Sequence, residues 1–145
     1  MAGAVLLGVV LAGCVQPVGP ARTFDSYEDK AKDTAETTLS SVQTARLATR
    51  AARNDDAFAP YLAVLVSDAE GEASSAQTTF DSVQPPNDDA DKLRDRLDRL
   101  LTRAADALSQ ARVAARRADF DELAEQAKPL ARSANELDRF VERHG

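Results

Sequence analysis

One thiol, one imidazole and two short acidic clusters are the places in this chain where chemistry could start. The imidazole is His144, beside the C-terminus, and the thiol is Cys14. A di-iron centre in a helical protein needs glutamates on facing helices and Glu-x-x-His pairs. Only Glu142 and Arg143 precede His144 closely, at the wrong spacing. Covalent haem needs two cysteines before a histidine, and the chain has one cysteine in all. A serine nucleophile needs a base, and a histidine at a fraying terminus is a poor one. The clusters Asp55-Asp56 and Asp88-Asp89-Asp91 fall where helices are expected to begin, and carboxylates there complement the positive end of the helix dipole. Capping and solvation account for them better than a cation does. The chain is therefore expected to be no enzyme and to hold no metal and no bound cofactor.

Cys14 has a different context. It follows an apolar run from Ala4 to Ala12 and ends the tetrad Leu11-Ala12-Gly13-Cys14. This tetrad resembles the lipobox of bacterial lipoprotein precursors, although Met1-Ala2-Gly3 lacks the usual opening positive charge. The resemblance implies cleavage before Cys14, with Leu11 filling an apolar pocket of the peptidase and Ala12 and Gly13 letting the backbone enter its groove. It further implies a diacylglycerol or other acyl lipid, such as palmitate, on the Cys14 sulfur, which removes that thiol from catalysis. The apolar run is shorter than the roughly 20 residues that span a bilayer, so it reads as a signal peptide.

On this reading residues 1–13 are the signal, 14–22 the lipidated cysteine and its tether, and 23–145 a helical domain on the extracytoplasmic face of a cell membrane. Val15-Gln16-Pro17-Val18-Gly19-Pro20 cannot continue a helix. Extended at about 3.1 Å per residue, the tether reaches roughly 25 Å, which keeps the domain near the membrane surface.

The chain carries 18 Lys and Arg against 24 Asp and Glu, a net charge of −6. Nucleic-acid binders are usually basic over a face, so nucleic acid is not an expected partner. Aromatics are few, tryptophan is absent and alanine is abundant, which favours close-packed helices over sheets.

Four amphipathic segments can be traced by apolar residues three and four apart. The first runs from about Phe24 or Ser26 to Arg53, with Thr23 or Ser26 as cap and Ala31, Ala35, Thr38, Leu39, Val42, Ala45, Thr49 and Ala52 inside. Asn54-Asp55-Asp56 should form a turn and cap the second, from about Ala57 to Val83, with Phe58, Leu62, Leu65, Ala69, Ala73, Ala76, Phe80 and Val83 inside and Gly71 mid-helix. Gln84-Pro85-Pro86-Asn87 breaks the chain before the third, from about Asp89 to Arg117. Its stripe is Ala90, Leu93, Leu97, Leu100, Ala104, Ala107, Ala111, Ala114 and Ala118, flanked by Leu101 and Leu108. The fourth, capped by Asp119, carries Phe120, Leu123, Ala127, Leu130, Ala134, Leu137 and Val141, with Pro129 predicting a break near Glu125.

Four such segments with short turns predict an all-α, antiparallel up-down-up-down four-helix bundle, about 45 Å long. Charge is unevenly spread along it. Residues 54–83 contain acids and no base, whereas 84–117 are arginine-rich. Asp68, Glu70 and Glu72 on one side, and Arg112, Arg116 and Arg117 on the other, are the candidate partner surfaces. The expected function is a lipid-anchored, non-catalytic interaction or scaffold module of the cell envelope, with a protein partner there and oligomerisation open. The alternative is an extracytoplasmic binding protein holding a lipid or another apolar small molecule between its helices.

Overall fold

The computed structural model describes residues 20–53 and 58–145. Leu11 to Cys14, Val15 to Gly19 and the Asn54-Asp55-Asp56 turn lie outside the described residues. No described helix is long and apolar enough to cross a membrane.

The described chain is helical throughout, without strands: α1 (Phe24–Arg53), α2 (Ala59–Asp81), α3 (Asp88–Arg116), α4 (Phe120–Glu125) and α5 (Ala127–Arg143). Local chemistry sets each boundary. Thr23 Oγ1 accepts from the Ser26 amide at 3.2 Å and so caps α1. Asn87 Oδ1 accepts from the Ala90 amide at 3.0 Å, and Asp119 Oδ1 from the Glu122 amide at 3.0 Å. Pro60 and Pro129 fall in the first turns of α2 and α5, where a missing N–H costs no helical bond. The break expected near Glu125 is the α4–α5 junction at Gln126.

The helices form one bundle around a continuous core. Helix α1 packs against α2, α3, α4 and α5, and α3 packs against α1, α2, α4 and α5, while α2 and α5 stand apart on opposite flanks. The small-residue stripe of α1 follows from this central position, because short side chains let several neighbours close in at once. Its buried hydroxyls are mostly turned back on the helix, Thr34 to the Lys30 carbonyl and Ser41 to that of Thr37.

Two expected core positions are corrected. Phe58 is exposed, because the helix begins one residue later and Phe58 itself is the extended N-cap of α2. Ala118 is exposed at φ 53°, outside α3. It takes the left-handed position of a Schellman C-cap, with the Ala118 amide on the Ala115 carbonyl and the Asp119 amide on that of Ala114, each at 3.1 Å. The largest fully buried anchors include three that lie off the predicted stripes: Tyr27, Val66 and Phe140. Tyr27 of α1 meets Phe80 of α2 with ring centroids 5.2 Å apart.

Candidate interaction surface

Helical periodicity sorts the residues that the core leaves over. Asp33, Thr37, Ser40, Thr44 and Leu47 recur at spacings of four and three, so they share one face of α1. Thr79, Ser75, Glu72, Asp68, Val64, Tyr61 and Phe58 do the same along α2 and its cap. Asp33, Thr37 and Ser40 of α1 line a shallow groove with Glu72, Ser75 and Thr79 of α2. The two faces are therefore the halves of a single outer surface.

That surface is not uniform. Among the described residues the exposed large apolar side chains are Leu47 (58 %), Phe58 (75 %), Tyr61 (62 %) and Val64 (58 %). All four belong to the part of the α1–α2 pair nearest its connecting turn. Single exposed apolar residues need no explanation, whereas a group of them on one face is a candidate contact surface. Farther from the turn the same face carries small and hydroxyl side chains together with Asp33 and Glu72, and the groove there has a volume of about 780 Å³. Gly71 borders it, and a Cβ built at Gly71 would meet nothing within 4 Å. Its absent side chain therefore does not serve a close helix contact inside this molecule.

The sequence-predicted charged surfaces divide in two. Glu70 and Arg112 are brought together as an ion pair between α2 and α3. Asp68, Glu72, Arg116 and Arg117 remain exposed. Arg94 provides a second α2–α3 link, donating to the Asp81 carbonyl at 2.9 Å and the Val83 carbonyl at 3.3 Å. The opposite charge bias of the second and third segments is thus used to join α2 to α3. Leu47, Tyr61 and Val64 escaped the stripe reading. Their signal was present: each is a large apolar residue left outside the three-four pattern.

Three further groups have unusual surroundings. His144 Nδ1 lies 2.6 Å from Glu28 Oε1, and its ring meets that of Phe140 at a 40° tilt with centroids 4.5 Å apart. Burial pushes the Asp98 carboxyl above its usual 3.8, assisted by Asp81 and opposed by Arg94. Burial likewise raises the Tyr27 phenol above 10.0, and its hydroxyl has no hydrogen-bond partner. No three metal-ligating side chains stand together among the described residues.

Fold and surface thus define an all-helical bundle with one apolar outer face. No family model, no curated protein and no solved structure matches the chain.

Proposed function

We propose that this protein is a lipid-anchored, non-catalytic interaction module of the cell envelope, displaying the outer α1–α2 face to a protein partner. The anchor is an acyl or diacylglyceryl lipid on Cys14, on the extracytoplasmic side of the cell membrane, with Leu11, Ala12 and Gly13 as the cleavage signal. The domain is an up-down-up-down bundle. Three antiparallel pairings support that topology: Tyr27 beside Phe80, Glu28 beside His144, and Glu70 with Arg112.

The observation that carries the interaction reading is the cluster Leu47, Phe58, Tyr61 and Val64, exposed together on one face of an otherwise well-buried apolar set. Intact mass and membrane fractionation of the wild type beside Cys14→Ala test the anchor. Cleavage before Cys14 with an added diacylglyceryl group is expected, and an uncleaved wild type would overturn it. A photo-crosslinking residue at Tyr61, with one at exposed Arg139 as control, tests the face in living cells. Adducts at Tyr61 alone are expected, and equal yields at both positions would remove the face from consideration.

A second reading, a small-molecule binding protein, is favoured by one observation. A half-open cleft of about 450 Å³ lies between α2 and α3, with Thr38 and Leu101 among its walls and the Glu70–Arg112 pair at its edge. The Thr38 hydroxyl is buried without a partner. Ser67, Ser74, Gln77 and Ser109 complete a hydroxyl- and amide-bearing rim. Such a rim suits a small polar ligand better than the lipid or apolar molecule the sequence suggested.

A further inference from the structure

We propose that the partner of the α1–α2 face is a second copy of this chain, docked antiparallel about a two-fold axis that crosses the face near Asp68. The proposal rests on reading that face as a docking surface, and it adds the identity of the occupant.

The argument is one of self-complementarity. A two-fold interface must present the same patch from both copies, so a protruding feature on one half needs a recess on the other. This face has both, in sequence order along each helix. Leu47, Tyr61 and Val64 project at the end near the turn, and the groove bounded by Thr37, Ser75 and Thr79 lies at the other end. From Leu47 to Thr37, and from Tyr61 to Glu72 or Ser75, is about 15 to 20 Å at 1.5 Å per residue. Turning one copy end over end places its projecting side chains over the groove of the other, twice. Gly71 then has a reason to be glycine, because its missing side chain leaves the groove open where Val64 and Tyr61 of the second copy arrive.

Charge follows the same symmetry. The part of α1 from Thr37 to Arg53 contains arginines and no acid, and Arg50, one turn beyond Leu47, is exposed beside the projecting cluster. The groove end carries Asp33 and Glu72. Antiparallel docking brings Arg50 of each copy toward Asp33 of the other. One term opposes docking: Asp68 sits near the axis and approaches its own copy, which makes the sign of its substitution diagnostic.

Disulfide trapping in the full chain tests this. Tyr61→Cys and Ser75→Cys lie 14 residues apart on one straight helix, about 21 Å, so they cannot bond within a chain, whereas a disulfide needs Cα atoms within about 7 Å. Mild oxidation of the double variant should give a band of twice the monomer mass. Either single variant, and the wild type with Cys14 alone, should give none. Val64→Glu and Gly71→Leu should each weaken self-association at least about 30-fold, the effect of losing a central contact. Gly71→Leu should do so while raising the helicity of the monomer, which separates it from misfolding. Asp68→Asn should tighten association severalfold. No trapped band from the double variant, or equal bands from the singles, would overturn the proposal. Photo-adducts at Tyr61 of some other mass, alongside no trapped band, would keep the docking face and exclude the second copy.

Discussion

The carboxylate of Glu28, one turn into α1, lies 2.6 Å from Nδ1 of His144, the residue that ends α5. This contact ties the start of α1 to the end of α5 across 116 residues of sequence. Replacing His144 by alanine should cost about 0.5 to 1.5 kcal/mol, the usual worth of such a bond. Urea denaturation of His144→Ala, Glu28→Ala and the double variant should show strongly non-additive losses. Additive losses would show that the two side chains act independently.

Ala118 holds the left-handed position that ends α3, at φ 53°. Such a backbone costs an L-residue roughly 1 to 2 kcal/mol and glycine almost nothing. Ala118→Gly should therefore raise the unfolding free energy by about 1 kcal/mol, and Ala118→Val should lower it. A destabilised glycine variant would show that the turn gains more from a stiff chain than it loses to strain.

Arg94 binds the carbonyls of Asp81 and Val83, where α2 ends. Arg94→Met keeps the apolar stem and removes these two charge-assisted bonds, together worth about 1.5 to 3 kcal/mol because one is long and the other exposed. The expected result is a loss in that range and faster amide exchange at residues 79–83. Unchanged exchange there would show that Asn87 capping alone holds the turn.

Half-buried Asp98 and buried Tyr27 act at opposite ends of the pH profile. The folded chain holds the Asp98 proton more tightly than the unfolded chain does, because burial raises that carboxyl above 3.8. Its contribution is fully present below 3.8 and is lost as pH rises through the folded-state value. Asp98→Asn should thus be relatively more stable than wild type near neutrality, with the advantage shrinking in acid. The raised Tyr27 phenol works the same way from 10.0 upward, so Tyr27→Phe should abolish part of the alkaline loss. Urea midpoints measured across the pH range decide both. A constant Asp98→Asn difference at all pH values would show that the carboxyl titrates normally.

Sequence patterning made the skeleton legible. The third stripe from Ala90 to Ala114 is buried at every position, and Asn87, Asp119 and the Pro85-Pro86 break stand where helices start and stop. The patterning missed Tyr27, Val66 and Phe140 for one reason. A helix that packs against several neighbours buries a sector wider than a single three-four stripe. Alanine adds to the difficulty, since it is at home both in a core and on a surface. The outer face is only half legible, for the complementary reason: Phe58 extends a stripe past the helix start and so reads as core. Leu47, Tyr61 and Val64 belonged to no stripe, and only the fold shows that they share a side.

The central position of α1 has a consequence for how the chain comes into being. Its neighbours include the last helix, so much of its inner surface stays uncovered until residues near Arg143 are available. During synthesis the chain emerges from its N-terminal side as separate amphipathic segments, and the inner surface of α1 is fully covered only once α5 has followed. Contacts between distant parts of a sequence form slowly, because a long loop must be ordered first. The same connectivity that holds the finished bundle shut therefore delays its closure until α5 is present.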